Sequence, residues 1–269
     1  MRACISQATT LPASFVDDVN AYADAGCTAL EVWLTKLETH LESHSGAETV
    51  ALLEDQRMTL AAAAYQGGLL LSQGEQRKAH YDHFRRRLDI CQGLGIPTLL
   101  VVADFVDRVD TTALQRAVVS LKQAAQWAAG CHVRLALEFR GSATFCSSLD
   151  TALSLVAACD EPNVGVCLDA FHYQTGPSKS DDLALLTREN LAHVQLCDLA
   201  GVPRELAADA DRILPGEGDF RLGPIVRRLR EIGYDGWVSL ELLNPTLWQA
   251  KATQVAELGL AALNRVLAG

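Results

Sequence analysis

Nowhere in the 269 residues does an apolar run reach the roughly 18–20 residues that a membrane-spanning helix needs. The opening stretch MRACISQATTLPASF also lacks the apolar segment of a signal peptide. Positive charge is scarce: 23 Lys and Arg stand against 33 Asp and Glu, a net charge of −10. Such a surface repels phosphate backbones and anionic lipid, which argues against nucleic acid and membranes as partners. No CxxC pair occurs. The eight cysteines are scattered singly, several inside apolar runs where a thiol behaves as a small hydrophobe, so reduced thiols in a cytoplasmic protein are expected. GxGxxG and GxxxxGK[ST] are both absent, which removes support for a nucleotide-binding open sheet. No shift in composition marks a linker, and residues 1–269 are expected to form one domain.

What is present is alternation. Short strand-like runs occur at 2–6, 28–33, 60–65, 98–103, 133–138, 164–169, 191–197 and 236–241. Helical patterns fall between or after them, near 13–25, 36–56, 75–93, 111–129, 147–159, 181–188, 221–232 and 247–267. Gly26, Gly95, Gly130 and Gly233 sit where left-handed helix caps are expected. Eight strands alternating with eight helices over about 250 residues predict a (β/α)8 TIM barrel. The longest irregular stretch, 198–219, follows the seventh strand, and a loop of that length is usually functional.

Barrel enzymes place their chemistry where the strands end. Glu138, Asp169 and Glu241 end the fifth, sixth and eighth strands, and Gln195 lies near the end of the seventh. Strand alternation turns all four toward the barrel axis. Three carboxylates brought together repel, and a divalent cation removes the conflict; oxygen ligands suit Mn²⁺ or Mg²⁺, with Co²⁺ or Zn²⁺ as further candidates. His172 can act as acid, base or hydrogen-bond partner, and Arg212 can hold an anionic group with its fork. Glu31, Gln66 and Asp104, near the ends of strands two to four, are candidates for the opposite wall and for binding hydroxyls.

The set LALEF (135–139), VGVCLDAFHY (164–173), HVQLCD (193–198), DRILPGEGDF (211–220) and GYDGWVSLEL (233–242) resembles the xylose-isomerase-like TIM-barrel superfamily. That superfamily includes sugar-phosphate isomerases and epimerases, and inosose and 3-dehydroshikimate dehydratases. The resemblance implies Glu138, Asp169, Gln195 and Glu241 as metal ligands, with His172 and Arg212 binding substrate. Two positions depart from the ketose 3-epimerase pattern: Gln195 replaces a ligand His, and Thr144 replaces a substrate-binding Glu. Gln195 instead looks like the dehydratase and hydroxypyruvate isomerase branches. The expected activity is a metal-dependent isomerase or epimerase working on a sugar or keto-sugar through an enediolate, with Glu138, Glu241 and His172 as the catalytic groups. A lyase that dehydrates a keto-polyol or cleaves a 3-keto-glycoside is the alternative, and a non-catalytic sugar-binding barrel the third reading. The partner expected is a small sugar or keto-polyol, with a homodimer as an open option.

Overall fold

A computed structural model describes residues 1–269. Eight strands, β1 (Arg2–Ser6), β2 (Ala29–Trp33), β3 (Thr59–Gln66), β4 (Thr98–Val102), β5 (Arg134–Glu138), β6 (Val164–Asp169), β7 (Leu191–Leu196) and β8 (Trp237–Leu240), close in sequence order into a parallel barrel. Parallel strands are covered on both faces, which is why they read as nearly continuous apolar runs. Leu99, Leu100 and Val101 of β4 and Leu135, Ala136 and Leu137 of β5 are all fully buried. The helices are α1 (Phe15–Asp24), α2 (Leu34–Leu41), α3 (Gly46–Asp55), α4 (Gly74–Leu94), α5 (Thr111–Gly130), α6 (Leu149–Cys159), α7 (Ala170–Thr175), α8 (Leu222–Glu231) and α9 (Ala252–Ala268). No helix is long and apolar enough to cross a membrane. All eight cysteines are free.

The residues form two compact units, Met1–Ala63 with Val194–Gly269, and Ala64–His193. In the first, β1 pairs with β2, Ser6 opposite Glu31, and with β8, Ile5 opposite Leu240; β7 pairs with β8, Gln195 opposite Ser239. In the second, β5 lies between β4 and β6, with Glu138 opposite Val102 on one side and Cys167 on the other.

The helices differ from expectation in three places. The pattern at 36–56 is two helices, because Ser45 starts a new one: its Oγ accepts from Glu48 N–H, and Glu48 Oε2 accepts from Ser45 N–H at 2.7 Å. The segment after β6 turns at once into α7, and 181–188 holds only a 3₁₀ turn, Ser180–Leu185. Gly130 is the last residue of α5, and His132 takes the left-handed backbone expected of Gly130.

In the unit holding β1, one buried ion pair locks the chain that leaves that strand. Lys36, in the first turn of α2, reaches Asp18 of α1 at 2.6 Å and also donates to the carbonyl oxygens of Gln7 (3.1 Å) and Thr10 (2.8 Å). Thr10 Oγ1 donates to the other oxygen of Asp18 at 2.6 Å. Burial pushes the Asp18 carboxyl up to about 6, while Lys36 and the Thr10 hydroxyl pull it back down. Lys36→Met strands that carboxylate, and breaking a buried pair costs about 3–5 kcal/mol. Without Lys36, Asp18 keeps its proton to a higher pH in the folded chain than in the unfolded one. A carboxyl raised in this way contributes stability that is complete below its unfolded value and is lost as pH rises through its folded value. The melting deficit of Lys36→Met, followed by circular dichroism, is therefore expected to be smaller at pH 5 than at pH 8; equal deficits would contradict the pairing.

Candidate active site

In the unit Ala64–His193, Glu138 ends β5 and Asp169 ends β6. Asp169 Oδ1 accepts the N–H of Phe171 at 2.8 Å and so caps α7. That turn brings His172 Nε2 to 3.6 Å from Asp169 Oδ2 and to 3.6 Å from Glu138 Oε1. All three residues are buried, and one donor atom from each lies within 4.8 Å of the others. Two glycines allow this approach. A Cβ on Gly176 would meet His172 O at 2.7 Å and Gly141 Cα at 2.8 Å, and one on Gly141 would meet Gly176 Cα at 2.9 Å. The loop after Glu138 thus packs backbone to backbone against the end of the helix that carries His172.

Separations of 3.6 Å are too long for hydrogen bonds. They are close to the spacing of about 3–3.5 Å between donors bonded to one ion at about 2.0–2.2 Å. Two buried carboxylates and one imidazole fit a divalent cation, whose charge offsets both acids. His172 stands as near to Asp169 as a ligand would, so an imidazole nitrogen lies beside the expected oxygen donors. A mixed oxygen and nitrogen set widens the choice of ion toward Zn²⁺ and Co²⁺.

The other unit holds two further arrangements. Gln195 Nε2 donates to Glu31 Oε1 at 3.0 Å, with both side chains fully buried. This fixes the amide with its nitrogen on Glu31. Glu31, expected as a hydroxyl binder, here orients Gln195. The side chain of Arg212 is almost entirely buried: Nη1 donates to Glu241 Oε2 at 3.0 Å, while Nη2 and Nε donate to Asp209 Oδ1 at 2.7 and 3.1 Å. Asn244 Nδ2 holds the Arg212 main-chain oxygen at 2.9 Å. The guanidinium expected to face substrate therefore spans two carboxylates of its own chain.

Two expected wall residues are engaged in loop structure within the unit Ala64–His193. Gln66 Nε2 donates to Gly67 O at 2.7 Å and its Oε1 accepts from Arg87 at 3.4 Å. Asp104 accepts the N–H of Gly68 at 2.5 Å. Thr144 likewise donates to the main-chain oxygens of Phe105 (3.0 Å) and Asp107 (2.5 Å).

Sequence reasoning missed Asp198. Its carboxylate is 1% exposed and accepts three N–H groups, those of Leu199, Gly216 and Phe220, each at 2.9 Å. Its backbone pairs with Ile213. One side chain thus gathers both ends of the 198–219 loop and holds it where Arg212 meets Glu241. The signal available was an acid directly after a strand, followed by the ProGlyGluGly turn. Asp198→Ala leaves those donors without their acceptor, a loss of about 1–3 kcal/mol. Limited proteolysis of the variant is expected to show new cleavage within 199–219, and Asp198→Asn, which keeps one acceptor oxygen, less of it; wild-type resistance in Asp198→Ala would remove the carboxylate from this role.

A family model described as xylose isomerase-like TIM barrel matches residues 19–266. Among curated proteins, the inosose isomerase of Halalkalibacterium halodurans is 26% identical over 263 residues, covering 94% of this chain and 92% of that protein. The 3-dehydroshikimate dehydratase of Pseudomonas aeruginosa is 27% identical over 173 residues, covering 63% of this chain and 27% of that one. A solved structure of an IolI protein with a bound zinc atom superposes with a TM-score of 0.94 at 22% identity, covering 100% of this chain and 98% of that one.

Proposed function

The chain belongs to the xylose isomerase-like TIM-barrel family, and from that membership we infer a divalent-metal-dependent isomerase acting on a sugar-like keto-polyol of the inosose kind. The observation that carries the reading is the buried convergence of Glu138 and Asp169, two acids whose charge a divalent ion would offset, beside the His172 imidazole. The resemblance implies Glu138, Asp169, Gln195 and Glu241 as ligands, and the orientation of Gln195 by Glu31 suits ligation through the amide oxygen. A divalent ion held there would supply Lewis-acid polarisation of the substrate carbonyl.

The remaining chemistry falls to the chain's own side chains. Glu241, aimed by Arg212, removes the proton from the carbon beside the carbonyl. On the opposing side Glu138 carries the proton of the neighbouring hydroxyl to the former carbonyl oxygen, while His172 hydrogen-bonds a substrate oxygen. Return of the proton to the former carbonyl carbon, with the neighbouring hydroxyl becoming the new carbonyl, completes an isomerisation with no loss of atoms. Expulsion of a β-oxygen from the same enediolate gives the alternative, a dehydratase. Gln195 and the dehydratase relative favour that second reading.

Elemental analysis is expected to find about one divalent ion per chain, and chelation to abolish turnover. Incubation with inososes in D₂O should place deuterium on the carbon beside the carbonyl and conserve mass otherwise. Loss of 18 mass units would identify the dehydratase instead. Glu241→Gln should lower turnover about 10²–10⁴-fold, the range lost with a general base, and unchanged turnover would remove Glu241 from the mechanism.

A further inference from the structure

Main-chain pairing between β1 and β8 runs as far as Ile5 opposite Leu240 and then stops. The chain after Ser6 leaves the sheet as a 3₁₀ turn, Gln7–Thr10. Glu241 is the next residue of the eighth strand segment, so its backbone reaches the rim beyond the last β1 partner. On the β7 side its N–H is held by Leu196 O at 3.3 Å. On the β1 side a side chain replaces the missing backbone. Thr9 Oγ1 donates to Leu240 O at 3.0 Å and accepts the N–H of Leu242 at 3.1 Å.

One hydroxyl therefore grips the two peptide groups on either side of Glu241. That double role needs a donor and an acceptor on a single atom, which a hydroxyl supplies and an aliphatic side chain does not. Thr9 is fully buried, so water does not compete for either bond. The turn carrying it is itself fixed at three carbonyl oxygens: Lys36 holds those of Gln7 and Thr10, and Trp248 Nε1 holds that of Ala8 at 3.1 Å.

We propose that Thr9 is a positioning residue that extends the β1–β8 ladder by one hydroxyl and thereby aims the Glu241 carboxylate. This rests on the reading of Glu241 as metal ligand and base. Positioning at this level matters because displacement of a reacting group by about 1 Å can cost about 10²-fold in rate.

The test uses Thr9→Val, which keeps the shape and removes the hydroxyl, and Thr9→Ser, which keeps the hydroxyl. Thr10→Val is the control, since Thr10 lies on the same buried turn but its hydroxyl bonds Asp18 and Tyr22 rather than the peptides around Glu241. Mn²⁺ binding to metal-free protein is measured by titration calorimetry, together with kcat and KM. Thr9→Val is expected to weaken Mn²⁺ affinity about 10–100-fold, the range for loss of a group that orients a ligand. Its kcat should fall with KM nearly unchanged, and Thr9→Ser should restore both affinity and kcat. Thr10→Val should lower the melting temperature and leave Mn²⁺ affinity as in wild type. Wild-type affinity and kcat in Thr9→Val, or equal losses in Thr9→Val and Thr10→Val, overturn the role of Thr9. Wild-type Mn²⁺ affinity in Glu241→Gln overturns instead the assignment of Glu241 as a ligand.

Discussion

A carboxylate taken out of water must be met by charge or by donors, or it stays protonated or does not stay buried. This chain buries seven acidic residues, and how six of them are met determines what surrounds them. Asp18 is met by Lys36, and the same ammonium then fixes the turn after β1. Asp198 is met by three N–H groups, and they define a loop. Glu31 is met by an amide, whose orientation it sets. Glu241 is met by Arg212, which Asp209 also grips. Glu138 and Asp169 differ in that they converge on one imidazole, a set that two positive charges suit.

Compensation and positioning are therefore the same event in this protein. Lys36 neutralises Asp18 and, through the carbonyl oxygens of Gln7 and Thr10, steadies the turn from which Thr9 reaches the flanks of Glu241. The path runs from a buried ion pair, through a 3₁₀ turn, to the backbone on both sides of a rim carboxylate. Each link is a hydrogen bond between fully or largely buried groups, where geometry is held more tightly than at a wet surface.

Much of this was legible in the amino-acid sequence, and the reasons for success and failure are local. The strands were readable because parallel strands are short apolar blocks, whereas the break before Ser45 was missed although Ser45 and Glu48 mark it. What propensity could not reveal was partnership. Arg212 reads as a loop arginine near a mouth, and only the fold brings Asp209 and Glu241 to its two sides. Asp198 reads as one acid among many, because its three donors come from residues up to 22 positions away. Glu31 and Gln195 are 164 residues apart, a separation that no periodicity spans.

Asp169 shows why a strand-end acid is hard to interpret by choosing between a structural and a chemical role. One of its oxygens starts a helix by accepting the Phe171 N–H, and the other faces His172. The first role produces the second. Because the cap lets α7 begin directly after β6, the third residue onward is carried round by a single helical turn to within 3.6 Å of both acids. A longer connection would free the histidine from that placement, and the close backbone approach of Gly141 to Gly176 holds the far end of the same helix. The capping bond is thus the local cause of the donor cluster, and the acidity that suits a cation is the same acidity that favours a helix N-terminus.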